Sequence, residues 1–398
     1  MDKTPIPFID LKKQFETLRP QMEKAILKVV SGAQYINGPE VAQLEKALAD
    51  YVGVAEVIAC ANGTDALTLP LLAWGVGPGE AVFCPSFTFI ATAEVVALRG
   101  AVPIFVDIEP ITFNMSSVDL ERKIALVKKS GLLRPRAVIP VDLFGLPADF
   151  PAINAIARKH DLLVLEDAAQ GFGGEIQGRR AGGFSQVGAT SFFPAKPLGC
   201  YGDGGAILTS DKALAEILRS LRSHGQGRSK YEHARLGVNS RLDTLQAAIL
   251  LEKLAVFPQE LQARQRVAET YGRLLSEGGQ ALKLPQAPVI PLVPSGFSSA
   301  WAQYTLRVPV GVRDFLLNYL KGEGVPANVY YPLGLREQPA FAYLKADLDD
   351  DPEWACPETE KAAGEVLSLP MHPYLDAATQ GRISSLVLKG LELGAKNV

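Results

Sequence analysis

Ser191-Phe192-Phe193-Pro194-Ala195-Lys196-Pro197-Leu198-Gly199-Cys200-Tyr201-Gly202-Asp203-Gly204-Gly205 sets one lysine between an apolar, strand-like run and a glycine-rich turn. A lysine ammonium is strongly hydrated, and burying it lowers its pKa toward values where the free amine attacks a carbonyl. That is the chemistry of a Schiff-base lysine. The ordinary fate of a lysine is a solvated loop, so the residues around Lys196 have to decide between the two.

Working outward, two β-rich runs bracket the lysine, 189–193 and 205–209. Upstream lie five more, 57–61, 81–85, 101–106, 137–141 and 162–165, each separated from the next by a helical stretch. This alternation predicts an α/β fold with a parallel sheet covered by helices. Residues 8–52 read as two helices separated by a loop at Ser31-Gly32 and Asn37-Gly38-Pro39. Beyond Arg241 a long helical pattern runs toward Leu275 with an interruption at Pro258, as a connector between domains. Turns around 285–294, a strand at 302–308, a helix at 313–321 and a final helix after Asp376 make a smaller α+β domain. The acidic run at 347–351 reads as a solvated loop.

A chain of 398 residues is long enough for two domains. Its 40 Lys and Arg against 43 Asp and Glu give a net charge of -3, with no electrostatic footprint for nucleic acid or a membrane surface. Cys60, Cys84, Cys200 and Cys356 have neither zinc-ligand spacing nor the density of a disulfide scaffold. The start, Met-Asp-Lys-Thr-Pro, lacks a signal peptide's basic region and apolar run, and no apolar stretch reaches the ~18 residues of a membrane span. A soluble, cytoplasmic protein is expected.

Further features carry chemistry. Asn62-Gly63-Thr64-Asp65 follows the first strand and opens a helix, so the amides of Gly63 and Thr64 form an anion site; a plain N-cap is the alternative. Asp167, in Leu165-Glu166-Asp167-Ala168-Ala169-Gln170, ends an apolar strand at the sheet edge where α/β folds bind ligands, and either caps the next helix or holds a cationic ring nitrogen. Phe89, read at the start of a helix after Pro85-Ser86, is either core or a ring face for a planar cofactor. The hydroxyl of Ser191 stands five residues before Lys196, within reach of the same cofactor's phosphate. His224, Arg228, Tyr231 and Asn239 gather in a glycine-containing loop, a surface connector or a ligand or subunit contact. An anion site, a strand-end aspartate and a Ser-x-x-x-x-Lys together meet the demands of one cofactor, pyridoxal 5′-phosphate.

The order of Gly63–Leu67, Pro85–Thr92, Glu166–Gln170, Phe192–Lys196 and Asn239–Ala248 also resembles the DegT/DnrJ family of nucleotide-sugar aminotransferases over nearly the whole chain. The resemblance implies the aminotransferase fold type I: a large domain with a mostly parallel seven-stranded sheet flanked by helices, and a smaller C-terminal α+β domain. It divides the chain into an N-terminal segment at 1–30 packing with the small domain, a cofactor-binding domain at 31–250, and a connector helix with the small domain at 251–398. It makes Lys196 the cofactor-bonded lysine and proton carrier, and Asp167 the partner of the pyridinium nitrogen. Gln170 falls beside the cofactor's phenolic oxygen, Gly63, Thr64 and Ser191 at its phosphate, and Phe89 against its ring. Asn239 reaches the phosphate of a neighbouring subunit, so the active site belongs to a homodimer. Relatives with histidine at the lysine position dehydrate sugars; Lys196 argues against that here.

The stretch 192–205 and His224-Gly225-Gln226 are most similar to the branch acting on UDP-linked 3-keto-N-acetylglucosaminuronic acid, with L-glutamate as amino donor, in surface polysaccharide biosynthesis. His224, Arg228, Tyr331 and Arg336 are the substrate candidates this implies, although Arg228 and Arg336, each taken alone, read rather as solvated surface arginines. Many members carry Pro and His where this chain has Gly334 and Arg336, which bears on the sugar. A 4-keto deoxysugar linked to dTDP or UDP is the alternative substrate. A non-catalytic regulator on the same fold is the alternative function.

Overall fold

The computed structural model describes residues 6–229, 231–282, 287–344 and 352–395. The acidic run at 347–351 and the first two residues of the 285–294 turns lie outside them. Two helices, α1 (Leu11–Gly32) and α2 (Pro39–Val52), precede the sheet. Five strands then alternate with helices: β1 (Glu56–Cys60), α3 (Gly63–Ala73), β2 (Glu80–Pro85), α4 (Ala91–Leu98), β3 (Val102–Val106), α5 (Ser117–Ser130), β4 (Arg134–Val138), α6 (Phe150–Lys159) and β5 (Leu163–Asp167). A short hairpin, β6 (Glu175–Ile176) and β7 (Arg179–Arg180), leads into β8 (Val187–Ser191) and β9 (Gly205–Thr209), and α7 (Lys212–Leu221) comes next.

The seven-stranded sheet runs β1-β9-β8-β5-β4-β2-β3. Only β9 is antiparallel to its neighbours. The parallel strands therefore all end on one edge. Every residue of β2 is buried, as expected of a parallel strand covered on both faces. The fourth run begins earlier than its apolar residues suggest, because Arg134 starts the ladder by pairing with Glu80 of β2. Its predicted end is still drawn along the sheet: the Ile139 amide donates to Phe83 at 2.8 Å and Val141 bridges Asp167.

The connector is one helix, α8 (Thr244–Ala281, 38 residues), and Pro258 does not break it. Pro258 stands on the exposed face, while Lys253, Phe257, Glu260 and Arg264 on the other side are buried. Packing of that face outweighs the lost backbone bond. The first half of α8 packs against α1 through Leu18, Met22 and Ile249. Its second half joins the small domain's core through Val267, Tyr271 and Leu275.

β10 (Phe297–Ser298) pairs antiparallel with β6 of the large domain, and the small domain contains β11 (Tyr304–Arg307), α9 (Arg313–Gly322), α10 (Pro357–Glu365), β12 (Val366–Leu369) and α11 (Ala377–Gly394), with β11 antiparallel to β12. Two polar ties pin it to the large domain. Asp107, just past β3, accepts the amides of Glu358 and Thr359 at the start of α10, both at 2.9 Å, the favourable position for a carboxylate. Arg307, paired with Glu365, donates to the Pro110 carbonyl at 2.5 Å. Among the described residues no helix is long and apolar enough to cross a membrane.

Replacing Pro258 with Ala restores an intrahelical donor on an exposed face. The variant should gain about 1–3 kcal/mol of stability, read as a higher Tm in calorimetry; a lower Tm would mean that the proline shapes the helix.

Candidate active site

The carboxyl edge of the sheet opens into a cavity of ≈ 750 Å³ lined by Gly63, Thr64, Phe89, Asp167, Gln170, Ser191, Lys196 and Tyr331. Ligands bind at this edge in open α/β sheets, and here several strand ends contribute.

Its floor is the start of α3. Asn62 caps the helix by accepting the Asp65 amide at 2.8 Å, leaving the first amides of the helix without intrahelical acceptors. A Cβ on Gly63 would stand 2.6 Å from the Cβ of Ser191, and one on Gly205 would stand 2.3 Å from the Asn62 carbonyl oxygen. Glycine at both places lets the helix start meet the ends of β8 and β9. The Ser191 hydroxyl, which accepts the Phe193 amide at 3.3 Å, lies beside that helix start. Backbone amides, two hydroxyls and a positive helix end make a site suited to an anion such as a phosphate.

Asp167 is the last residue of β5 and is buried. Its Oδ2 accepts from the Thr92 hydroxyl at 2.8 Å and its Oδ1 from the Ala169 amide at 3.2 Å. It is thus not a helix cap but a carboxylate held at the pocket wall. Burial pushes its pKa up; the Thr92 and Ala169 bonds and the charge of Lys196 oppose the rise. Glu166 points the other way along the strand and is absorbed by the amides of Gly182 and Phe184.

Lys196 lines the same pocket on a tight loop, its amide donating to the Phe193 carbonyl at 2.9 Å. Desolvation lowers its pKa, and Asp167 works against that. The lysine is therefore not a solvated loop residue. A buried carboxylate beside a lysine is suited to a cationic ring nitrogen, and an amine whose pKa is lowered by burial is suited to attack on an aldehyde.

Phe89 is 55 % exposed, which excludes the core reading. It also precedes the helix, since α4 begins at Ala91 and Phe89 sits in the turn between β2 and α4. Gln170 accepts the Phe144 amide at 2.8 Å and donates to the Tyr331 hydroxyl at 3.2 Å. Burial raises the pKa of that tyrosine.

Four candidates do not line the cavity: His224, Arg228, Asn239 and Arg336. His224 and Asn239 lie in the loop after α7, where Ser223 bridges Asn239, and the Arg228 amide donates to Glu232. Arg336 belongs to a short 3-10 turn whose neighbours Leu335 and Gln338 reach the pocket instead. Sequence reasoning misses Thr92, Gln303, Gln338 and the chain at Phe8 and Ile9. Thr92 carries a usable signal, as a hydroxyl in the first turn of a helix that comes after a strand. Gln303 and Phe8 come from distant segments and carry no local signal.

A lysine and a buried aspartate on the carboxyl edge of a mostly parallel sheet, over a helix end suited to an anion, define a pyridoxal-phosphate enzyme of the aminotransferase type. The chain belongs to the DegT/DnrJ/EryC1/StrS aminotransferase family, whose sequence profile matches residues 16–388. It is 49% identical over 374 residues to the UDP-2-acetamido-2-deoxy-3-oxo-D-glucuronate aminotransferase of Pseudomonas aeruginosa, covering 94% of this chain and 97% of that one. It is 43% identical to the pleiotropic regulatory protein of Geobacillus stearothermophilus, over 94% of this chain and 95% of that one. Among solved structures, a family aminotransferase from Brucella abortus superposes with a TM-score of 0.90 at 49% identity, covering 96% of this chain and 98% of that one. NtdA from Bacillus subtilis, solved with bound cofactor PMP, superposes with a TM-score of 0.86 at 28% identity, covering 98% of this chain and 86% of that one. Pyridoxal 5′-phosphate is the cofactor.

The geometry sets two expectations. Gly63→Ala should weaken cofactor binding at least about tenfold in an absorbance titration, because the added methyl meets Ser191 beside that helix end. Asp167→Asn removes the charge that raises the Lys196 pKa, so in the cofactor-free protein Lys196 should titrate at lower pH than in wild type, as read by NMR of 13C-methylated lysine.

Proposed function

We propose that this chain transfers the amino group of L-glutamate to a keto carbon of a nucleotide-linked sugar, with UDP-2-acetamido-2-deoxy-3-oxo-glucuronate the preferred acceptor, for surface polysaccharide biosynthesis. The observation that carries the reading is Lys196 and Asp167 meeting in one cavity with room for a cofactor and a sugar. The similarity to the Pseudomonas enzyme supports the choice of acceptor.

Bound pyridoxal phosphate supplies an electron sink for the substrate's α-carbon. Asp167, fixed by Thr92 and Ala169, keeps the ring nitrogen protonated. Gly63, Thr64 and Ser191 hold the phosphate, Phe89 covers the ring, and Gln170, braced by Phe144 and Tyr331, faces its phenolic oxygen. Lys196 would be the lysine that holds the cofactor, and its Nζ would move a proton at the substrate carbon as general base and acid. The two halves of such a reaction give ping-pong kinetics.

Residues 223–229 and 231–240 fit a site shared by two chains. Tyr231, Leu236 and Val238 are large apolar side chains left exposed there, and no arginine of this chain is among the described residues lining the cavity, although the substrates proposed are anionic. In the homodimer proposed, Asn239 reaches the partner's phosphate, and His224, Arg228 and Arg336 are its sugar-side candidates.

Purified protein with cofactor should show an absorbance band that L-glutamate bleaches, and Lys196→Ala should abolish turnover. A band unchanged by any amino donor would favour the regulatory reading, to which the name of the Geobacillus relative points. Product analysis with 3-keto and 4-keto UDP and dTDP sugars decides the acceptor; activity on 4-keto compounds alone would overturn the choice made here. Mixing inactive Lys196→Ala and Asn239→Ala proteins should restore about a quarter of wild-type activity, since one site in each mixed dimer is intact. No restoration would place each site within one chain.

A further inference from the structure

The loop carrying Lys196 is gripped from behind by one face of α8. Gln246, Lys253 and Glu260 are spaced by seven residues, two helical turns each, so they share a face. Gln246 accepts the Tyr201 amide at 2.8 Å. Lys253, 1% exposed, donates to the Gly199 carbonyl at 2.6 Å, and its ammonium sits 4.3 Å from the centre of the Tyr201 ring. Glu260 provides the countercharge; it accepts from Gln14 of α1 at 3.0 Å and from the Tyr374 hydroxyl of the small domain.

The bonded carbonyl lies where the loop is tightest. A Cβ on Gly199 would stand 2.5 Å from the Pro194 carbonyl oxygen, and the Cys200 amide closes the loop by donating to Phe192 at 2.8 Å. Burial lowers the Lys253 pKa to about 8. The folded chain thus holds this proton less tightly than the unfolded one, and the ammonium costs stability below about pH 8, a cost relieved as the pH rises beyond it.

We propose that Lys253 is a positioning residue for transamination: its ammonium, set against the Tyr201 ring, fixes the Gly199 carbonyl and so the loop that presents Lys196 to the pocket. On the same face of α8, Glu260 ties the helix to α1 through Gln14 and to the small domain through Tyr374.

The inference rests on the role proposed for Lys196, and the test separates the two. Hydrogen exchange by mass spectrometry on the full chain, with and without added cofactor, reads the loop directly. Lys253→Met, which keeps the length and loses charge and donor, should speed exchange across 192–204 by about tenfold and leave β2 and β5 unchanged. The rate at which saturating glutamate bleaches the cofactor band should fall by about the same factor, with half-saturating glutamate unchanged. Lys253→Gln, which keeps an N–H donor and is the fallback if the methionine variant does not fold, should show a smaller effect in the same direction. Unchanged exchange at 192–204 in the folded variants, or loosening spread evenly over the sheet, would overturn the proposal. If wild type ignores glutamate while exchange behaves as expected, the donor reading fails and the brace stands.

Discussion

Asp167 and Lys196 are opposite charges withdrawn from water into one cavity, and most of the architecture serves to keep them there. Alone, each would be costly: burial drives the carboxyl toward its protonated form and the amine toward its free form. The protein does not resolve this by pairing them as a sealed salt bridge. It gives Asp167 two neutral donors, Thr92 and Ala169, and leaves Lys196 on a loop at the cavity wall. In the function proposed above, the aspartate is kept for a cation that arrives with the cofactor, and the lysine for a carbonyl.

That arrangement depends on close approach at the sheet edge. The start of α3 and the ends of β8 and β9 come so near each other that side chains are excluded at Gly63 and Gly205. The same nearness sets the open helix end beside the Ser191 hydroxyl. The small domain completes the cavity from the far side, bringing Tyr331, Gln303 and Gln338 over the edge, and Asp107 and Arg307 fix its position. α8 joins the two units and touches the back of the lysine loop, so the long connector is also part of the site's support.

The part of this visible in the sequence is the part written locally. Strand runs leading into helix starts place Gly63, Asp167 and Ser191 on one edge without any knowledge of tertiary contacts, because parallel strands must all end together. Residues that reach the pocket from afar leave no such mark: Gln303 lies in an irregular stretch before β11, and Phe8 in the segment before α1. Arg336 and Gln338 are two positions apart in one turn, and only the turn's orientation decides which faces the cavity. Pro258 shows the opposite failure, a strong local signal overruled by a buried helix face. Lys253 is hidden inside an amphipathic pattern where a lysine reads as solvated.

Reductive trapping tests the central claim most directly. Borohydride treatment of the protein with pyridoxal phosphate, then proteolysis and mass spectrometry, should find the cofactor's mass on the peptide containing Lys196 and on no other lysine. A cofactor fixed instead at Lys253 or a surface lysine, or not fixed at all, would contradict the account.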